Sequence, residues 1–173
     1  MSHHDIPIVA FVGRSGAGKT TLLEQVVAAL DARGVRVAVV KHTHHTGLAT
    51  DLPGTDSRRL WEAGAQHTTL WAPDRVAHTH RASTPPTLAA VLRDIHDVDV
   101  ILVEGDKRGS LPKIEVVRAA VNPALLGIEG RIACVTDAPV LAWEGPRFSF
   151  DDAGLAALAD FIQTTVMNNP DRR

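Results

Sequence analysis

The sequence predicts an α/β protein whose mostly parallel sheet is flanked by helices. Residues 6–12 (IPIVAFV) form a short, branched apolar run that ends at a glycine, as buried parallel strands do. An amphipathic helical pattern follows at residues 19–33, and strand-like and helical segments then alternate along the chain. Such alternation is typical of parallel sheets, in which helices cross over from one strand to the next.

The remaining elements show the same two patterns. The apolar stripe of the first helix is formed by Leu22, Leu23, Val26, Val27 and Leu30. Gly34 stands where the C-terminal cap of that helix belongs. Further strands are predicted at residues 35–40, 68–72, 75–80, 99–103, 114–117 and 132–135, and further helices at residues 56–63, 87–96 and 151–166.

Length and composition bound the class of protein. At 173 residues the chain fits one domain, and its net charge of −2 argues against a nucleic-acid binder that depends on bulk positive charge. The single cysteine, Cys134, cannot form an intrachain disulfide, which is typical of a reducing compartment. The N-terminal residues lack a signal-peptide pattern, and no run reaches the ~18 apolar residues of a membrane span. We therefore expect a cytoplasmic protein that does not associate with membranes.

The strongest functional signal is the segment GRSGAGKT at residues 13–20, which matches the phosphate-loop motif G-x-x-x-x-G-K-[ST]. Glycines let backbone N–H groups turn inward toward phosphate oxygens, at the start of a helix whose dipole favours negative charge. The lysine faces the β- and γ-phosphates, and the hydroxyl that follows it ligates Mg²⁺. We predict one P-loop nucleotide-binding domain over residues 1–173, with a frayed tail at 168–173. Its phosphate-binding residues are Gly13, Arg14, Ser15, Gly16, Ala17, Gly18, Lys19 and Thr20.

Other candidate residues follow strands of the predicted sheet. Ligands gather at the carboxyl ends of strands in an open α/β sheet, where Lys41 and His42 follow one strand and Glu104 and Gly105 another. A carboxylate at the end of an apolar strand is the expected second Mg²⁺ anchor, directly or through water. The alternative for Glu104 is an ordinary surface position, but the glycine behind it lets the chain turn close to a ligand, which favours the functional interpretation.

Two further carboxylates, Asp51 and Asp56, flank the turn Pro53-Gly54. They could hold a water bound to Mg²⁺ or orient an attacking water, which makes Asp51 a candidate catalytic residue together with Glu104. Asp56 also suits the N-cap of the helix that follows, so both interpretations stay open for it.

Selection of the base has a weaker signal. The guanine-selecting pattern Asn-Lys-x-Asp is absent from the sequence. Thr136 and Asp137 follow an apolar strand and could offer a carboxylate to the N1–H and amino group of guanine. A Thr-Asp turn at the end of a strand is the structural alternative.

Histidines cluster after the second strand at His42, His44 and His45. Imidazoles at this spacing could ligate a transition metal. No complete ligand set is visible in the sequence, which favours a polar loop that contacts phosphate or substrate, and Cys134 fits a small buried strand residue. His78 and His80 alternate on one strand face, at a surface or at a dimer edge.

These motifs together resemble the MobB family. The segments GRSGAGKTT, VVKHTHH, DLPGTDSRRLWEAGA and ILVEGDKRGSLPKIEVVR carry the resemblance, which runs from about Ile6 to Arg118. The family consists of GTP-binding proteins associated with making the guanine dinucleotide form of the molybdenum cofactor. The phosphate loop is shared by many families, whereas the other three segments are far more specific.

The resemblance implies a homodimer that binds GTP with Mg²⁺ and hydrolyses it slowly. It implies an adaptor that assists the guanylyltransferase MobA, with molybdopterin or apo-molybdoenzymes as further partners. Arg14 occupies the position where related dimeric NTPases have a lysine that reaches the partner's nucleotide. The resemblance adds Thr21 to the phosphate-binding set, and it places near the nucleotide Lys41, His42, Asp51, Asp56 and Glu104, with Thr20, Asp51, Asp56 and Glu104 as candidate Mg²⁺ ligands.

Two other functions stay open at the level of the sequence. A metal-chaperone GTPase would use His42, His44 and His45 to carry a transition metal. An ATP-dependent small-molecule kinase or ligase would use the same phosphate loop, with a preference for ATP and a substrate pocket beside the γ-phosphate.

Overall fold

The computed structural model describes residues 6–43, 45–48, 51–139 and 142–168. Contacts divide the chain into two compact units, one made of residues 1–43 and 93–173 and the other of residues 44–92. The single nucleotide-binding domain over residues 1–173 stays a prediction. The predicted frayed tail falls on residues 169–173, which lie outside the described residues, and on Asn168 at their edge.

Strands and helices alternate in the first part of the described residues, whereas four strands follow one another before the last helix. The strands are β1 (Ile8–Gly13), β2 (Val37–Lys41), β3 (His67–Ala72), β4 (Arg75–His80), β5 (Val100–Glu104), β6 (Lys113–Val117), β7 (Arg131–Thr136) and β8 (Arg147–Phe148). The helices are α1 (Lys19–Asp31), α2 (Asp56–Glu62), α3 (Leu88–Leu92) and α4 (Asp152–Phe161), and α4 continues into a π-helical segment at Ile162–Met167. Among these helices, none is long and apolar enough to cross a membrane.

The first unit contains one sheet of six strands in the order β2-β5-β1-β6-β7-β8. Every neighbouring pair in this sheet is parallel. The fold class predicted from the sequence, a mostly parallel sheet flanked by helices, is therefore confirmed.

Helices α1 and α4 cover this sheet with their apolar faces. The two helices and one face of the strands form a single apolar cluster. The residues of α1 that are buried in it are Leu22, Leu23, Val26 and Leu30, and those of the last helix are Leu158, Ala159, Ile162 and Val166. The apolar stripes read from the sequence are thus the faces that bind the helices to the sheet.

The end of α1 shows why a glycine follows it. Gly34 has a φ of +74°, in the left-handed region. Its N–H donates to the carbonyl of Asp31 at 2.8 Å, and the N–H of Val35 donates to the carbonyl of Leu30 at 3.1 Å. This pair of bonds satisfies the last carbonyls of the helix and turns the chain into β2.

Three elements differ from the prediction. Helix α3 covers five residues rather than residues 87–96, and none of them is buried. Because short helices depend on packing, the apolar periodicity alone does not extend it. The two-residue strand β8 is too short to leave a pattern in the sequence. The last helix changes to π-helical hydrogen bonding in its final turns.

The second unit is built around a hairpin. Strands β3 and β4 pair antiparallel with Ala72 opposite Arg75, and Pro73 and Asp74 form the connection. His80 lies opposite His67, with ring centroids 5.7 Å apart, and the Nδ1 of His78 is 3.0 Å from the Thr69 hydroxyl.

Two charged side chains lie buried in the middle of the first sheet. Lys113 and Glu115 of β6 are each 1% exposed. The Lys113 ammonium donates to the carbonyls of Gly109 at 2.6 Å and Leu111 at 3.0 Å. Glu115 accepts from the Arg131 guanidinium and, at 2.7 Å, from the N–H of Leu126. These bonds offset the cost of removing the charges from water and attach two loops to β6.

We expect Glu115→Ala to lower the free energy of unfolding by about 3–5 kcal/mol, because the change leaves Arg131, whose side chain is 12% exposed, without its anion. Urea unfolding followed by circular dichroism would measure the loss. Asp160→Ala is the matched control, since it removes an exposed partner of Arg33 and should cost less than about 1 kcal/mol. A loss no larger than that of the control would contradict the structural role of Glu115.

Candidate functional site

The loop between β1 and α1 has a backbone that requires its glycines. A Cβ atom at Gly13 would lie 2.4 Å from the carbonyl oxygen of Val116, so β6 passes too close for any side chain. Gly16 and Gly18 have φ values of +75° and +80°, which residues with a Cβ atom rarely adopt. The glycines of the motif are therefore explained by sterics within the chain itself.

The start of α1 presents backbone donors to the inside of this loop. Its N-cap residue is Gly18, which has no side chain to cap the helix, and the first turn contains no acidic residue. The positive end of the helix dipole and its N–H groups are thus available to an anion. Ala17 is buried at 1% exposure, while Ser15 and Thr21 are exposed on the loop and the first turn.

Lys19 reaches across the loop. Its ammonium donates to the carbonyl oxygen of Arg14 at 2.9 Å. Burial lowers the pKa of Lys19, the like charge of Lys107 lowers it further, and Glu104 offsets part of this effect. A bound polyanion would favour the charged form of this lysine, so the site is poised to take up negative charge.

Arg14 lies on the same loop. Its Nε atom is buried and has no hydrogen-bond partner within the part of the chain that the structure describes. Neither this geometry nor the loop itself tests whether Arg14 reaches a second subunit, so that role stays a prediction.

The structure brings together the hydroxyl, the carboxylate and the lysine that the sequence placed at one sheet edge. Thr20 Oγ1 donates to Glu104 and lies 3.0 and 3.1 Å from its two carboxylate oxygens. Lys41 Nζ is 3.4 Å from the Glu104 carboxylate and 3.5 Å from the Thr20 hydroxyl. The pairing of β2 with β5 sets Lys41 opposite Glu104 in register. The paired oxygens of Thr20 and Glu104 are ligands that Mg²⁺ prefers.

The turn after Glu104 runs close to His42. The His42 N–H donates to the Glu104 carbonyl at 3.0 Å, and Gly105 has a φ of +115°. A Cβ atom at Gly105 would lie 3.3 Å from the Cβ of His42. The glycine therefore allows a close approach of the chain to His42. The close approach of Gly105 to a ligand and the nucleotide contact of His42 stay predictions.

On the other side of the loop, Asp137 is held by the chain. Its carboxylate accepts from the Ala119 N–H at 2.7 Å and from Arg118 Nη1 at 3.2 Å. The bond from Ala119 is the main cause of a lowered pKa for Asp137, and Arg118 contributes. The Thr136 hydroxyl accepts from the N–H of Ala138 at 2.9 Å. The carboxylate is thus ionised and fixed, and its contact with a base stays a prediction.

Sequence reasoning did not single out Arg118, which the structure places over the phosphate loop. A Cβ atom at Gly18 would lie 3.8 Å from Arg118 Nε and 3.9 Å from Nη2. The guanidinium carbon lies 3.4 Å from the ring centroid of Phe150. The signal available in the sequence was the position of Arg118 directly after the apolar strand β6.

Asp51 and Asp56 lie in the second unit. The turn between them closes with the Thr55 N–H 3.4 Å from the Leu52 carbonyl, and Gly54 has a φ of +86°, as its place in the turn requires. The interpretation of Asp56 as the N-cap is wrong by one residue: the N-cap of α2 is Thr55, and Asp56 is its first residue, 3.5 Å from Arg59. The metal and catalytic roles of both aspartates stay predictions.

The histidine cluster is described only in part, because His44 lies outside the described residues. Within residues that are described, no three His, Cys, Asp or Glu side chains are grouped so that they could hold a metal ion. Cys134 is 0% exposed in β7, as expected for a small buried strand residue.

We expect the Cys134 thiol to be unreactive in the folded protein. Burial raises its pKa to about 11, so at pH 8 the reactive thiolate is scarce as well as inaccessible. The measurement is the rate of reaction of the thiol with a chromogenic disulfide at pH 8. We expect the reaction to be slow in buffer and complete in urea. Reaction in buffer at the rate of free cysteine would show that β7 is not buried as described.

Comparison with known proteins gives relatives over most of the chain. The family model described as molybdopterin guanine dinucleotide synthesis protein B matches residues 8–137. A molybdopterin-guanine dinucleotide biosynthesis adapter protein of Escherichia coli is 36% identical over 163 residues, which cover 91% of this chain and 91% of that protein. The protein of the same name from Haemophilus influenzae is 35% identical over 164 residues, covering 93% and 90%.

Solved structures share the fold. The crystal structure of Bacillus subtilis MobB superposes with a TM-score of 0.74 at 25% identity, covering 95% of this chain and all of that one. A MobB homologue from Bacillus stearothermophilus gives a TM-score of 0.67 at 27% identity, covering 91% and 98%. The sheet, its helices and the phosphate loop thus form a P-loop NTPase-like fold.

Proposed function

The chain belongs to the MobB family of molybdopterin guanine dinucleotide synthesis proteins, and from that premise we propose that it is a GTP-binding adaptor in this biosynthesis. The observation that supports nucleotide binding is the contact of Thr20 with Glu104 beside a loop whose backbone donors and Lys19 face inward. This arrangement provides both a cradle for phosphates and oxygen ligands for their counterion.

Each residue of the site has a defined part in this proposal. The N–H groups of the loop bind phosphate oxygens, and Lys19 places its charge on the β- and γ-phosphates. Thr20 and Glu104 would hold Mg²⁺, which neutralises charge on the same phosphates. Lys41 orients the Glu104 carboxylate, because its ammonium lies 3.4 Å from it. Asp51 and Asp56 are the further carboxylates proposed for the metal or for an attacking water.

Hydrolysis of GTP by this site would be slow. Fast GTPases aim an arginine at the charge that develops on the transferred phosphoryl group. Arg14 is the candidate for such a cation, and we propose that it acts across a homodimer, so that an isolated subunit lacks its full effect. Slow turnover suits an adaptor, because the bound nucleotide persists while a partner is engaged.

The proposed partner is a guanylyltransferase of the MobA type in the cytoplasm, with molybdopterin or an apo-molybdoenzyme as a further partner. The relatives from Escherichia coli and Haemophilus influenzae are named as adapter proteins, which supports an accessory role over an independent reaction. Bound GTP would then control whether the partner is held.

We expect Lys19→Ala to weaken the affinity for Mg²⁺-GTP by about a hundredfold or more, because each lost charge-assisted bond to phosphate is worth about 1.5–3 kcal/mol. Glu104→Gln should remove the dependence on Mg²⁺, so that its affinity equals that of the native protein in EDTA. Titration calorimetry measures both.

Arg36→Ala is the control for these titrations, since it removes an exposed cation that pairs with Asp99 and should leave binding unchanged. Native affinity for GTP in Lys19→Ala would overturn the proposed site. Tighter binding of ATP than of GTP would favour the kinase or ligase alternative instead.

A pull-down from molybdenum-replete cells should retain a guanylyltransferase in the presence of a non-hydrolysable GTP analogue, and much less without it. The Lys19→Ala chain serves as the matched bait, because it should lose the nucleotide-dependent part. Equal retention by both baits would show that partner binding does not depend on GTP. Tight, stoichiometric nickel or zinc in equilibrium dialysis would favour the metal-chaperone alternative.

A further inference from the structure

We propose that Arg118 is a nucleotide-contacting residue that binds the nucleoside 5′-phosphate end of the ligand, and that Asp137 and Phe150 position it. The inference rests on the proposed nucleotide binding. It goes further by assigning a role to a residue outside the phosphate-loop motif and by fixing the direction in which the ligand lies.

The first argument is the place of Arg118 in the sheet. Arg118 directly follows β6, which pairs with β1 so that Val116 lies opposite Gly13. Two residues beyond that pair, the guanidinium reaches the last glycine of the loop, with Nε and Nη2 3.8 and 3.9 Å from a Cβ atom placed on Gly18. A cation is therefore set at the first residue before α1, where the helix dipole already attracts anions.

The second argument is that the side chain is held in place while it keeps donors for a ligand. One face of the guanidinium stacks on the Phe150 ring at 3.4 Å, and Nη1 donates to Asp137 at 3.2 Å. Asp137 is itself fixed by the Ala119 N–H at 2.7 Å. Within the described residues, the bond to Asp137 is the side-chain hydrogen bond that Arg118 makes. The guanidinium has five N–H donors, and 37% of the side chain is exposed, so donors remain for a ligand.

The third argument is the order of the strands. Glu104 and Lys41, which approach Thr20, end the strands β5 and β2 on one side of β1, and Arg118 and Asp137 follow β6 and β7 on the other. If the terminal phosphates and their Mg²⁺ lie beside Thr20 and Glu104, the rest of the ligand crosses the loop toward β6 and β7. Arg118 then meets the α-phosphate and the nucleoside, and Asp137 lies beyond it.

The test compares ligands that share the terminal phosphates but differ in the α-phosphate and the nucleoside. Arg118→Ala should weaken GTP and GDP by about tenfold each and leave inorganic pyrophosphate unchanged, because pyrophosphate has no group at the α-position that Arg118 contacts. Lys19→Ala should weaken all three. Titration calorimetry with GTP, GDP and pyrophosphate measures this difference between the nucleotides and pyrophosphate, which a merely structural role of Arg118 would not produce.

Arg118→Gln keeps the aliphatic stem and an amide donor without the positive charge, and it serves if Arg118→Ala does not fold. It should show the same difference between the nucleotides and pyrophosphate. Arg36→Ala is the matched control, since Arg36 is also paired with an aspartate, at 2.7 Å, but lies before β2 at the opposite end of the strands. Asp137→Asn and Phe150→Leu should show this difference in weaker form.

Unchanged GTP affinity in both Arg118 variants would overturn the assignment, and so would an equal loss for GTP and pyrophosphate. If the native chain binds none of the three ligands, the proposed function itself fails. The two failures are therefore distinguishable, because only the second appears in the native protein.

Discussion

The close passage of β6 beside the end of β1 is the constraint on which the rest of the site depends. No residue but glycine fits at position 13, because the Val116 carbonyl lies where a Cβ atom would be. With that contact made, β1 sits in parallel register between β5 and β6, and the loop leaves the sheet between their carboxyl ends. Strand pairing then places the backbone of Glu104 on one side of the loop and that of Arg118 on the other.

Electrostatics around the loop favours binding of a polyanion. Lys107 and Lys41 act on Lys19 as like charges, while Glu104 is the carboxylate that opposes them at this edge. The backbone donors at the start of α1 add positive potential without a titratable group. An anion at this loop would offset the repulsion that Lys107 and Lys41 exert on Lys19.

The sequence was sufficient to predict the features that follow from local patterns or from the order of the strands. The juxtaposition of Thr20 and Glu104 follows from two strands that end at one sheet edge, whichever side chains line the core. It was insufficient to predict the features that depend on tertiary contacts. The N-cap of α2 is Thr55 and not Asp56, because Thr55, with a ψ of 154°, is the last extended residue before the helix. The sequence did not point to Arg118, because its role depends on Phe150. That residue is distant in sequence and supplies the ring against which the guanidinium lies.

The two faces of strand β6 also explain why charged residues, which are costly to bury, lie within this sheet. Its residues alternate between two faces: Ile114 and Val116 join the cluster beneath α1, and Arg118 continues that series toward the loop. Glu115 lies on the opposite face, where it fixes the backbone at Leu126. One face of the strand therefore contributes to the phosphate-loop side of the sheet, and the other face holds a surface loop. Apolar residues at the charged positions would leave that loop without its attachment.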